Sequence, residues 1–117
     1  MPWNATMMVL MANAARTAAT HMQIHTGDPG PNGINNVSTA ARKPINWAAA
    51  TGDGDFGLSG SILFTGGAAN GPATHVSFWS ALTSGTHYGS HALTGDTTFS
   101  AAGEYTVTAA NIDGSST

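Results

Sequence analysis

The sequence predicts a mainly β fold: an antiparallel β-sandwich or jelly-roll-like domain of about seven strands, with one N-terminal α-helix. Three observations lead to this prediction. After one helical segment, the apolar residues alternate with period two in short runs. Loops rich in Gly, Pro, Asn and Asp separate these runs. No helical pattern lies between them, which favours antiparallel strands over a crossover fold.

Length and composition limit the size of the core. The chain has 117 residues, which suits one domain over 1–117: a helix at 5–19, the sandwich at 20–110 and a polar tail at 111–117. Ala, Gly, Ser and Thr make up just over half of the chain, and charged residues only 8%. Large apolar side chains are therefore few, and we expect a thin core. The net charge of −3 is too small for a disordered chain.

The helix is predicted from Ala5 to Ala19. Asn4 is a good residue to cap its start, and the segment is rich in Ala and Met. Its apolar face is broad and its polar face is weak. Such a helix needs a covering surface, which is either its own sheet or a neighbouring subunit.

For the second alternative, Met side chains adapt to irregular surfaces, and a Trp outside the strands is a typical interface anchor. The candidate interface residues are Trp3, Met7, Met8 and Met11.

The strands follow the helix. Met22 and Ile24 alternate with polar residues between His21 and His25, which predicts a half-buried strand. The remaining strands are predicted from similar runs at 42–48, 58–64, 75–80, 88–93, 97–100 and 104–110. Pro44 predicts either an edge position or the start of a strand, because proline has no backbone N–H to donate.

Composition also excludes several classes of function. The chain has 3 basic residues, too few for the cationic surface that nucleic-acid binding requires. The longest apolar run, 7–11, is far shorter than a membrane span. The absence of Cys excludes disulfides and thiolate metal sites. We therefore expect neither nucleic acid nor membrane as a partner.

No pattern of catalytic or metal-binding residues is found. His21 and His25, like His87 and His91, have the four-residue spacing of a helical zinc site. On a strand that spacing separates side chains by roughly 13 Å, too far to share one metal ion. No Ser lies in a nucleophile-elbow motif. The sequence predicts no enzyme, no catalytic residue, no metal and no cofactor.

A second hypothesis rests on the aromatic residues. Aromatic rings stack on the apolar faces of sugars in carbohydrate-binding modules, although in a small sandwich they more often anchor the core. For this alternative function, contact with a host surface, the candidate glycan contacts are Trp79, Tyr88 and His87. The hypothesis requires a solvent-exposed pair of rings.

Three motifs in a fixed order carry a resemblance: His-Thr-Gly-Asp-Pro-Gly at 25–30, Arg followed by Ile-Asn-Trp-Ala-Ala within 42–49, and Val-Ser-Phe-Trp-Ser-Ala at 76–81. From about residue 13 to residue 110 the chain resembles a family of short virion proteins of tailed phages that infect actinobacteria, commonly labelled tail fibre proteins. The Met-rich helix departs from the pattern of that family.

The resemblance implies a non-enzymatic, β-rich structural protein of the virion, placed on the tail or decorating the capsid. Its expected partners are other virion proteins. The low charge and the apolar helix add the expectation of a homo-oligomer, with a trimer as the expected stoichiometry.

Overall fold

The computed structural model describes residues 4–52 and 54–111. Trp3 and the tail beyond Asn111 lie outside the described residues. The elements in chain order are α1 (Ala5–Ala18), β1 (His21–His25), β2 (Lys43–Pro44), β3 (Ile62–Phe64), β4 (His75–Trp79), β5 (His87–Ala92) and β6 (Tyr105–Val107). The predicted mainly β fold with one N-terminal helix is confirmed.

The strands form two antiparallel sheets. The four-stranded sheet has the order β2-β1-β4-β5, and β3 pairs with β6 in the second sheet. Met22 lies opposite Phe78 in the first sheet, and Phe64 lies opposite Tyr105 in the second. All four side chains belong to one buried apolar cluster, in which small residues such as Ala73 fill the remaining space. The core is thus built from few large side chains, as the composition predicts.

Residues 97–100 do not form the predicted strand. Thr98 makes a single bridge to Pro72, and Phe99 is buried in the core cluster, where its ring contacts that of Tyr105. The carboxylate of Asp96 accepts hydrogen bonds from both the backbone N–H and the hydroxyl of Thr98. Pairing with residues 70–73 is limited to this bridge, because the N–H of Ser100 donates to the carbonyl oxygen of Glu104 and the N–H of Thr74 donates to that of His25. The structure therefore contains six strands in its described part, rather than about seven.

The helix α1 begins as predicted. Oδ1 of Asn4 accepts a hydrogen bond from the backbone N–H of Met7 at 2.9 Å. At the other end, the indole Nε1 of Trp47 donates to the carbonyl oxygen of Ala19 at 2.8 Å. Arg16 Nη2 donates to the carbonyl oxygen of Trp47 at 3.3 Å. These bonds fasten the end of the helix to the loop that follows β2.

The helix α1 packs against that loop rather than against either sheet. Gly54 lies so close to Met8 that a Cβ at residue 54 would come within 2.5 Å of the Met8 carbonyl oxygen. Of the described helix residues, Ala12 is buried. Because a helix exposes the side opposite to its contact, the other face of α1 is left uncovered.

Candidate functional site

Polar groups are buried on the face of the four-stranded sheet that lies away from the core. Gln23, His25 and Ser77 alternate with the core residues of β1 and β4, and all three are buried. Residues 26–42, which connect β1 and β2, cover this face. Gln23 Nε2 donates to the carbonyl oxygen of Ala40, in this connection, at 3.0 Å. The sheet is therefore buried on both sides along β1 and β4.

One hydrogen-bonded chain crosses this polar layer. Nε1 of Trp79 donates to Oγ of Ser77 at 2.7 Å. Oγ of Ser77 lies 2.7 Å from Nε2 of His25, whose Nδ1 lies 2.8 Å from the carbonyl oxygen of Asn35. A carbonyl oxygen only accepts, so His25 carries its hydrogen on Nδ1 and the Ser77 hydroxyl donates to Nε2. Each polar side-chain atom in this series of hydrogen bonds therefore has a partner.

The pair of Ser77 and His25 has the contact distance of a nucleophile and its base. Its surroundings are different from those of an active site. Both side chains are fully buried, and the Ser77 oxygen already accepts the indole N–H of Trp79. A substrate carbonyl has no path to that oxygen. The hydrogen bonds of His25 to Ser77 and to the Asn35 carbonyl hold residues 26–42 over the sheet.

Burial lowers the pKa of His25 below its ordinary value of 6.5. The hydrogen bond to the Asn35 carbonyl acts in the opposite direction, and the nearby His87, His75 and Arg42 add to the lowering. The neutral form of His25 is therefore favoured in the folded chain. A proton on Nε2 would also compete with the hydrogen that Ser77 donates.

We expect the free energy of unfolding to decrease as the pH falls below 6.5. The unfolded chain binds a proton on His25 at higher pH than the folded chain does, so protonation favours unfolding. The decrease ends once the pH is below the pKa of His25 in the folded protein. Urea denaturation from about pH 8 to about pH 5 measures it, and His25→Gln should remove this part of the slope. An unchanged slope in His25→Gln would contradict the assignment.

Arg42 forms the outer side of the polar layer. Its guanidinium lies 3.9 Å from the centroid of the Trp79 ring. Nε donates to Oε1 of Gln23 at 3.3 Å, and Nη1 donates to the carbonyl oxygens of Ala81 at 2.9 Å and Ser84 at 2.7 Å. These partners are all neutral. Burial lowers the pKa of Arg42, and no carboxylate pairs with it in the described part of the chain.

A pocket of about 460 Å³ opens beside this guanidinium. Its lining residues are Gln23, Ala41, Arg42, Leu82, Thr83 and Ser84. The side chain of Leu82 is 54% exposed. The pocket therefore combines one fixed cation with an apolar wall.

The predicted glycan contacts do not form an exposed pair of rings. Trp79 is only 7% exposed, because Arg42 lies over its ring and the His87 ring packs 5.2 Å from it. Nε2 of His87 is itself buried, with no hydrogen-bond partner among the described residues. Tyr88 is exposed. Trp79 is thus unable to present a ring face to a sugar, and the exposure that the carbohydrate hypothesis requires is missing.

The predicted interface residues of α1 separate into two groups. Met8 is half-buried and faces the loop that carries the helix, next to Gly54. Met11 is 42% exposed, and Leu10, which is not among the predicted contacts, is 63% exposed. We call the uncovered side the outer face. It consists of the exposed residues Leu10, Met11 and Ala14 and of the half-buried residues Met7 and Ala18.

Two other classes of site are absent from the described part of the chain. No group of three or more His, Asp or Glu side chains is placed to hold a metal ion there. No described helix has the length and apolar character needed to cross a membrane.

Comparison with known protein families identifies a match over most of the chain. A family model described as "Podophage GP4 fiber I protein gp80" matches residues 4–115. The matched residues include α1, both sheets and the connection that covers the polar layer. No curated protein matches the chain.

Proposed function

Because the chain belongs to the podophage GP4 fiber I protein family, we propose that it is a single-domain subunit of the tail fibre that self-associates through the outer face of α1. Membership of this family confirms the resemblance to phage tail fibre proteins. It places the protein in the virion, at the tail, in a structural role with other virion proteins. Fibre assembly, rather than capsid decoration or catalysis, is the role that we propose.

The observation that carries the proposal is the uncovered outer face. Leu10 and Met11 both lie on it and are exposed. Met7, Met11, Ala14 and Ala18 repeat at intervals of four, three and four residues, which is the a/d spacing of a coiled-coil seam. A contiguous apolar surface of this kind indicates a protein contact.

Charge favours a second copy as the occupant of this face. Arg16 is the one charged residue of α1, and its guanidinium turns away to bond Asn13 and the Trp47 carbonyl. Identical helices can therefore pack together without bringing like charges into contact. The small side chains of Ala14 and Ala18 allow close approach of the helix axes. A trimer is the stoichiometry that we propose.

Replacing Leu10 and Met11 together by Glu should convert the protein to a monomer. Each copy would bring two carboxylates into an apolar contact, where their desolvation is costly. Light scattering coupled to size exclusion measures the mass, and we expect three times 11.8 kDa for the unaltered trimer. Circular dichroism checks that the variant is folded.

The matched control is Leu63→Glu. Leu63 is 51% exposed and lies on β3, away from α1. The Leu63→Glu substitution introduces a Glu in place of an exposed Leu without altering the outer face. This variant should therefore keep its oligomeric mass. An unaltered chain that remains monomeric at high concentration, or a helix variant that remains oligomeric, would contradict the proposal.

A further inference from the structure

The pocket beside Arg42 has no part in the self-association of α1. We propose that it binds an acidic peptide segment of another virion protein, with a carboxylate on the Arg42 guanidinium and an aliphatic side chain against Leu82. The inference uses the place of the chain among virion proteins. It does not depend on the outer face of α1.

The first argument is charge. The hydrogen-bond partners of Arg42 are an amide oxygen and two carbonyl oxygens, so its positive charge has no counter-ion among the described residues. Nη2 has no hydrogen-bond partner in that part of the chain. Only 3 residues of the protein are basic, and this one is partly desolvated. An incoming carboxylate would supply both the missing charge and an acceptor for Nη2.

The second argument is rigidity. The guanidinium lies over the Trp79 ring, 3.9 Å from its centroid, and bonds to the carbonyl oxygens of Ala81 and Ser84 fix its rotation. A side chain that is already ordered loses little further entropy when it binds a ligand. Arg42 is therefore prepared for a carboxylate, whereas a free surface arginine would have to be ordered first.

The third argument is the chemistry of the pocket wall. Leu82 and Ala41 provide apolar surface next to the cation, and Leu82 is more than half exposed. None of the described lining residues is aromatic, so the pocket lacks the ring on which a sugar would stack. An aliphatic side chain next to a carboxylate matches this wall. We therefore favour an acidic peptide over an acidic sugar.

The probe is N-acetyl-L-leucine, which joins an aliphatic side chain to a carboxylate, and N-acetyl-L-leucinamide is its uncharged counterpart. Titration into the ¹⁵N-labelled protein should shift the backbone amide signals of residues 41–42 and 82–84. We expect the amide to bind about tenfold more weakly, as for the loss of one charge-assisted hydrogen bond. Equal binding of the two compounds would overturn the proposal, and so would the absence of shifts.

Two pairs of variants test the contact. Arg42→Gln should remove binding, while Lys43→Gln loses the same charge next to the pocket lining and should retain it. Because Arg42 also bonds three groups of the fold, Thr83→Asp provides a test that leaves those bonds in place. It puts a carboxylate at the pocket and should weaken binding about tenfold. Thr65→Asp, outside the pocket, should have little effect.

Three results would overturn the proposal: full binding by Thr83→Asp, equal weakening by Thr65→Asp, or glucuronate shifting the same signals more strongly than N-acetyl-L-leucine. The last result would indicate a sugar. The double Glu variant of Leu10 and Met11 should bind the probe normally. Failure of self-association and failure of this site can thus be told apart.

Discussion

Ser77→Ala should lower the free energy of unfolding by about 2–5 kcal/mol. The Ser77 hydroxyl accepts the indole N–H of Trp79 and donates to Nε2 of His25, both at 2.7 Å. Alanine leaves both of these groups without a partner. Each buried polar group that loses its partner costs about 1–3 kcal/mol. Urea denaturation followed by circular dichroism measures the change.

Ser90→Ala is the control for this prediction. Ser90 lies opposite Ser77 on β5, but its side chain is exposed. The same chemical change there should alter the free energy by no more than about 0.5 kcal/mol. Equal effects of the two substitutions would show that the hydrogen-bonded chain does not stabilise the fold as we infer.

Gly103→Ala should destabilise the protein by about 2–5 kcal/mol. Gly103 has a φ of +74°, where an L side chain is strained by about 1–2 kcal/mol. In addition, a Cβ at this position would overlap the carbonyl oxygen of Gly67. The N–H of Gly67 donates to the carbonyl of Gly103 at 3.0 Å, so the two loops are held together by their backbones. Relief of the overlap requires these loops to separate.

Gly95→Ala isolates the overlap from the backbone strain. Gly95 has nearly the same φ, +78°, and beyond its chain neighbours no atom lies within 4 Å of the position that a Cβ would take at this residue. Only the strain remains, so we expect a loss of about 1 kcal/mol. Thermal denaturation of both variants gives the difference. If Gly95→Ala were as destabilising as Gly103→Ala, the contact between the loops would not be the cause.

Part of the fold could be predicted closely because its pattern was local. His21–His25 was predicted with the bounds that β1 has, and the predicted strand at 75–80 differs from β4 by one residue. Strong alternation of apolar and polar residues defines both of these strands. At 97–100 the pattern was similar, but the backbone N–H of Ser100 donates to the carbonyl oxygen of Glu104 instead of extending the pairing with residues 70–73. A competing turn of this kind is not visible in hydrophobic periodicity.

The candidate sites were harder to predict, since burial is a property of the tertiary structure. Period two indicates that Ser77 and Trp79 share a face of β4, but not that residues 26–42 cover that face. The alternative hypothesis placed Trp79 at a glycan surface, whereas Trp79 is buried under Arg42. A serine between two large apolar residues, and an arginine within the second motif, were the available signals for the polar layer.

The side of α1 that contacts the rest of the protein could not be predicted either. The apolar residues of the helix extend around much of its circumference, so the sequence does not indicate which side contacts the loop. Gly54 determines the contact side, because a residue without a Cβ allows the backbone of Met8 to lie close to it. Leu10 is consequently exposed, although it is as apolar as its neighbours.

The two edges of the four-stranded sheet restrict how copies can add to one another. At one edge, β2 has two residues, Lys43 and Pro44, and Pro44 has no N–H to offer a further strand. At the other edge, β5 pairs irregularly with β4 between Phe78 and Trp79, so that Tyr88 interrupts the ladder. Neither edge is a regular template for open-ended growth of the sheet. Growth of amyloid-like ribbons through the edges of this sheet is thereby disfavoured.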